Sequence, residues 1–495
     1  MRQATSTSRR PCPRRVGMAA AVAAISLALA ASPAAASGMS GGSGVRRAVA
    51  RAAAEVDWVT YGFDAQRSGY NPDETTIGTG NAGQLAEQWS TKLNGVVVAQ
   101  PVVAAGVDVS GTPTDLAYVG TEHGLFYAID TATGSKVWKR KLGMVHVGCP
   151  DLPNGDFGIG GTAVLDRGAG LVYVAGGDGK VHAMDLATGA EAPGWPIAKV
   201  FKPKHEHVYS ALNLFGGDLY VTIAGECDIA PYHGRAVQID VASRQIVHTF
   251  YPAGRSISGG GIWGPGGASI DPGTGHAFVA TGNALTDPEY YRYSDSVVEL
   301  SSTLKVLGSD HPVLFGDDLD FGATPILFQR PGCPPQMAAK NKSGVLVVYT
   351  RGDLGAGPTQ RLQIGTVADD NFNGIPAYSP VTDMLYIGNS SDSDDPTYEH
   401  GMVALRVRKD CSLSLSWQKV VGPNMVSVSP PTVANGVVYY GDGPGRTEFA
   451  FDAATGTQLW NSASTIGGDL YAAPTVVNGR LLVASWDEHL YAFAP

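Results

Sequence analysis

One phrase recurs along the chain and limits what it can fold into. It reads YAIDTATGSKVW (127–138), HAMDLATGAEAPGW (182–195) and FAFDAATGTQLW (449–460), and in worn form VQIDVASRQIVHTF (237–250). Each copy is an alternating strand, a D-x-x-T-G turn and a second strand ending in an aromatic residue. Glycine supplies the backbone angles a tight turn needs, and the aspartate can accept hydrogen bonds from turn amides. The aromatic residue can cover the core between neighbouring sheets. Upstream of each copy stand a "PVV", "TAV" or "PTV" strand and a "VYVAG"-type strand. The unit is thus four strands, here A to D, repeated about every fifty residues, which is the signature of propeller blades.

Seven units are complete, at 96–142, 158–199, 206–253, 257–309, 319–366, 372–421 and 425–463. The C-terminus adds only three strands, in YAAPTVV, RLLVASW and HLYAFAP. LAEQWSTKL (85–93) supplies the missing one. The expected fold is therefore an all-β, eight-bladed β-propeller over 56–495, made of four-stranded antiparallel blades and closed by strands from both ends of the chain in one blade. Seven blades or an open β-solenoid are the alternatives, and joining the two ends argues against the solenoid, because only a closed ring removes exposed strand edges.

The high glycine and proline content, 64 and 31 of 495 residues, suits many turns. Residues 1–36 read as a signal peptide: Arg9, Arg10, Arg14 and Arg15 precede an apolar run at 18–31 and a small-residue site at Ala34–Ala36. The run is short for a membrane span. Residues 37–55 read as a disordered lead-in. Removing the basic leader makes the formal charge of −10 still more negative, so nucleic acid and anionic membrane are poor partners. Four cysteines remain, Cys149, Cys227, Cys333 and Cys411. In an exported chain an even number suggests disulfides, with three connectivities open. No CxxCH occurs, so covalent c-type haem is not expected.

In a propeller the D–A and B–C loops open on one face and the A–B and C–D loops on the other. Three B–C loops are long, 224–235, 279–296 and 388–400, so all three extensions fall on one face, as loops built for function do on a rigid scaffold. Glu226 and Asn283 hold nearly equivalent positions at the inner ends of two of them. Asp320 and Trp263 lie in D–A loops, and Lys342 opens another B–C loop, all on that face. Aspartate and asparagine ordinarily form turns here, and a lone tryptophan ordinarily packs. Joint placement round one mouth is what points to function. Two carboxylates and an amide oxygen are hard ligands that suit Ca²⁺ better than zinc or copper.

At these residues the chain resembles the pyrroloquinoline quinone (PQQ) dehydrogenases, eight-bladed propellers that oxidise alcohols, and most of all the polyvinyl-alcohol dehydrogenase type. The resemblance runs from WVTYGFDAQRSGYNP (58–72) to the last blade. It implies that Glu226 in AGE and Asn283 in TGN bind calcium. It implies that Asp320 in LDFGATP is both calcium ligand and catalytic base, that Lys342 in KSG reaches the quinone oxygens, and that Trp263 in IWG stacks under the cofactor. The substrate would be a small or polymeric alcohol, and electrons would pass to a separate acceptor. Many family members cover PQQ with a disulfide between adjacent cysteines. Here Cys149 follows Gly148, and no two cysteines are adjacent. A Cys149–Cys227 bond beside the cofactor is the expected substitute, with Cys333 and Cys411 paired on the opposite face. Repeats of this type also occur in non-catalytic scaffold proteins, so a propeller that binds protein or glycan is the rival reading. Tyr290, Tyr291 and Tyr293 either line a substrate groove or pack their loop onto its own blade.

Overall fold

Eight blade sheets follow one another along the chain, four-stranded and antiparallel in most blades. Blade 7 gains a parallel fifth strand, Tyr70–Asn71, blade 3 also holds five strands, and a separate hairpin pairs Val145–His146 with Asp156–Phe157. The structure is a computed structural model and describes residues 56–495 except 151, 198, 313–317, 320 and 368–374. The expected leader (1–36) and lead-in (37–55) lie outside the described residues. Blade 1 is built from Val102–Val109, Thr112–Gly120, Leu125–Asp130 and Lys136–Lys141. Blade 8 takes three strands from the C-terminus and its outer strand, Ala86–Lys92, from near the N-terminus, paired antiparallel with His489–Ala494. The eight-bladed closure expected from the sequence is borne out.

Blade 2 departs from the expected four strands. Its sheet holds three, and the fourth is reduced to isolated bridges, Val181 with Ile197 and Met184 with Glu191. The cause lies in EAPGWPI: Pro193 and Pro196 have no N–H to give to a ladder.

The recurring phrase is explained by how one blade meets the next. Trp89, Trp138 and Trp417, each on an outer strand, lie over the turn glycine of the following blade. A Cβ on Gly134, Gly189 or Gly456 would sit within 2.7 Å of the respective indole. The three indole N–H groups donate to Thr131 O, Leu186 O and Ala453 O of those turns, at 2.9–3.0 Å. All three glycines have φ near 70°, so the turn needs glycine both for its backbone angle and for the ring above it. The core lies between sheets. Phe278 and Ala280 of blade 4, for example, pack with Met337 and Val347 of blade 5.

Residues 58–71 form a hub inside the ring that visits every blade in order. Trp58 exchanges backbone hydrogen bonds with Val103 of blade 1. Val59 O accepts from Leu165 N in blade 2, and the Thr60 hydroxyl donates to Leu212 O in blade 3. The carbonyls of Ala65, Gln66, Ser68 and Gly69 accept from Ile270, Leu327, Tyr378 and Val433 of blades 4 to 7. Asn71 donates to Val476 O of blade 8. Arg67 is fully buried at the centre and donates to Thr60 Oγ1, Tyr61 O and Leu212 O. One segment thus satisfies inner-strand backbone groups that a bare channel would leave to water.

Candidate functional site

Above the hub the channel opens into a cavity of about 720 Å³. The same innermost segments serve both: the chain passes the cavity at Val98, Tyr209, Pro265 and Tyr471, then reaches the hub a few residues later at Val103, Leu212, Ile270 and Val476. The cavity is therefore on the D–A and B–C face.

Trp263, Asn283, Lys342 and Cys227 all line it. The Lys342 ammonium stands 5.2 Å from the Trp263 ring centroid and pairs with Asp318 Oδ1 at 2.7 Å. A cation held beside an indole face, in a cavity with other aromatic walls, suits a flat anionic or electron-accepting group. Asn283 is nearly buried, and its backbone carbonyl takes the Gly260 N–H at 2.6 Å.

Glu226 follows strand Asp218–Gly225. It is fully buried, and its chain neighbours Gly225 and Cys227 line the cavity. Among the described residues neither carboxylate oxygen has a hydrogen-bond partner. Burial, and then repulsion from Glu206, pushes its pKa up to about 8. The Glu206 carboxylate is itself satisfied by a forked ion pair with Arg235. A buried, unpaired carboxylate is costly unless a cation or proton meets it, so Glu226, beside a cavity that Asn283 lines, fits a hard metal ion. Among the described residues no three His, Cys, Asp or Glu side chains form a complete metal cluster. Asp320, expected as third ligand and base, lies outside the described residues.

Both disulfides have the expected partners, Cys149–Cys227 and Cys333–Cys411. Cys149 is buried behind Cys227 and packs with Leu152, Phe157 and Trp486. The second bond joins an A–B loop to a C–D loop on the opposite face.

The long loop 281–296 contributes Leu285 and Glu289 to the cavity. Its three tyrosines do not line it. Tyr293 packs on Phe250 at 5.8 Å, Tyr290 stacks on His311 at 3.7 Å, and Tyr291 is exposed beside Arg292. The walls come instead from Tyr209, Tyr232, Tyr471 and Trp486, which the sequence reading did not single out. Their signal was positional: three of them lie in D–A or B–C loops of blades 3 and 8, on the face already marked.

A family model described as "Outer membrane protein assembly factor BamB" matches residues 74–195 and 413–495. Those stretches stop short of blade 3 and resume in the last strand of blade 6, so they leave out the blades that carry Trp263, Asn283 and Lys342. The quinohemoprotein alcohol dehydrogenase of Comamonas testosteroni is 32% identical over 148 residues, 29% of this chain and 18% of that protein. The polyvinylalcohol dehydrogenase of Sphingopyxis sp. (strain 113P3) is 22% identical over 75% of this chain and 65% of its own length. The chain thus spans less than two thirds of either relative. Among solved structures, a quinohemoprotein alcohol dehydrogenase of Pseudomonas putida HK5 superposes with a TM-score of 0.67 at 15% identity, over 88% of this chain and 80% of that one. A europium-containing methanol dehydrogenase gives 0.64 at 16% identity, over 89% and 98%. The resemblance read from the sequence is borne out by these relatives, and the structural likeness bears out the fold.

Proposed function

We propose that the chain is an exported alcohol dehydrogenase that works with bound PQQ and a calcium ion and passes electrons to a separate acceptor. The observation that carries this reading is the unpaired, buried Glu226 beside a cavity where Lys342 stands against the Trp263 ring. The activities of both relatives support the reaction class. The two disulfides support export, since such bonds persist in oxidising compartments.

When bound, the quinone would accept hydride from the alcohol carbon and the metal would polarise it as a Lewis acid. The chain's residues supply the rest. Glu226 and Asn283 hold the cation, and Trp263 gives the flat floor. Lys342 sets a positive charge where negative charge develops, and Asp318 holds that ammonium in place. Asp320 takes the hydroxyl proton. Tyr209, Tyr232, Tyr471 and Trp486 wall the cavity and limit water.

The test is direct. Purified chain is mixed with PQQ and Ca²⁺, freed of excess, and assayed for retained quinone absorbance and for dye reduction with primary, secondary and polymeric alcohols. Retention together with alcohol-dependent reduction, lost in Asp320→Asn, is the expected result. The match to the assembly-factor family model favours a second reading, a scaffold that binds protein or glycan. A folded chain that retains no quinone and reduces no dye would decide for it.

A further inference from the structure

Among the described residues, Glu226 is oriented by its own backbone alone. Its carboxylate oxygens have no hydrogen-bond partner among them, so none of those side chains or amides fixes where they point. The two residues that follow, Cys227 and Asp228, are both left-handed, with φ of 46° and 51°. Neither is glycine, and consecutive non-glycine residues hold this conformation only where the surroundings impose it. Three restraints do so. Ile229 N donates to Glu226 O at 2.9 Å and closes the turn. The Tyr232 hydroxyl donates to the Asp228 carboxylate. The Cys227 sulfur is bonded to Cys149.

Cys149 is well placed as an anchor. It sits in a separate arm whose base is a small hairpin, Val145–His146 paired with Asp156–Phe157. Its N–H donates to Val147 O at 2.8 Å, and it is 3% exposed. The bond therefore ties the turn beside Glu226 to the arm between blades 1 and 2. Cys333–Cys411 is a matched contrast. It closes the same sequence separation, 78 residues, and Cys411 is also left-handed, with φ 68°. Its neighbour Asp410, however, is exposed and already satisfied by Ser412.

We propose that the Cys149–Cys227 disulfide is the positioning device for Glu226: it locks the left-handed turn that presents this carboxylate to a cation, and cutting it weakens cation binding while the propeller stays folded. The inference rests on the reading of Glu226 as a metal ligand.

The experiment titrates Ca²⁺ into the full chain with PQQ present and follows the rise in melting temperature, with titration heats as a second measure. The chains compared are wild type, C149S/C227S, C333S/C411S and E226Q. Loss of an outer support of a metal ligand should raise the half-saturating calcium concentration about tenfold or more in C149S/C227S. C333S/C411S, remote from the site, should stay within about twofold of wild type. If C149S/C227S binds within that same margin while E226Q does not bind, the positioning role is overturned and the metal reading stands. If E226Q binds as wild type does, the metal reading fails and takes the positioning role with it. Should C149S/C227S fail to fold, the folded C333S/C411S chain is treated with a phosphine, which cuts its one remaining disulfide, and the same limits decide.

Discussion

The hub and the mouth are built from the same eight inner strands and treat their charged groups differently. In the hub, residues 58–71 give each blade a hydrogen bond, and the buried Arg67 guanidinium finds three oxygens, although its Nε, the Trp58 indole N–H and the Tyr61 hydroxyl have no hydrogen-bond partner among the described residues. At the mouth, Glu226 is left with no partner, and Lys342 is held over an indole by a carboxylate on the rim. Satisfied polar groups hold a fold together, whereas unsatisfied ones beside a cavity mark where something else must bind. The molecule has thus divided stability and chemistry along one axis, a few residues apart.

That division is broken most sharply by separating the two losses. Glu226→Gln should cost activity by about 10³-fold, through loss of the cation. Its melting temperature without calcium should match or exceed the wild type's, because the variant removes an unpaired buried acid. Steady-state turnover and calorimetry on the same preparation check this. A Glu226→Gln chain that melts early but turns over normally would place the residue with the hub.

Arg67→Ala is the mirror image and the next largest effect. It strands Tyr61 O, removes one donor each from Thr60 Oγ1 and Leu212 O, which stay paired with each other, and opens a void at the centre of the ring. A loss of about 3 kcal/mol in urea melts is expected, with quinone retention in the folded fraction unchanged. Lys342→Ala follows, with a fall in turnover of about 10²-fold, part of it restored by Lys342→Arg. If Lys342→Ala changed stability alone, the Asp318 pair would be a structural clasp.

What the sequence disclosed of this division follows from where each signal lives. The blade count was legible because turn aspartate, glycine and docking tryptophan are side-chain choices forced at every junction. Ring closure by 85–93 and both cysteine pairings were legible because alternating strands fix which loops share a face. The hub was not legible. Its contacts are mostly backbone carbonyls meeting backbone amides, and any residue can offer those. WVTYGFDAQRSGYNP therefore gave a resemblance and no geometry. The tyrosines of loop 281–296 drew notice by number, yet a loop has an outer side as well as an inner one, and theirs is the outer. The aromatic walls went unnoticed because Tyr209, Tyr232, Tyr471 and Trp486 come singly from well-separated positions. Blade 2 lost its outer strand to two prolines that were visible but were outweighed by the repeat.

The smallest expected effect probes whether an unpaired acid on this face always implies a ligand. Glu448 begins the third strand of blade 7, on the mouth side, and is 1% exposed with Oε1 unpaired, yet it does not line the cavity. Burial, and then the charge of Asp442, raises its pKa well above the ordinary glutamate range. The folded chain therefore keeps a proton that the unfolded chain gives up near pH 4.3, its usual value for about any exposed glutamate. Stability should fall as pH rises from that point until the folded group itself ionises. Glu448→Gln cannot titrate, so its melting temperature should match the wild type's near pH 4 and rise above it towards pH 8, about where physiological assays end. Asp442, also raised by burial, leaves part of the slope in both chains. Loading with PQQ and calcium should leave the difference between the two chains unchanged. If loading abolished it, Glu448 would be coupled to the cavity, and the acids of the mouth would have to be treated as one titrating set.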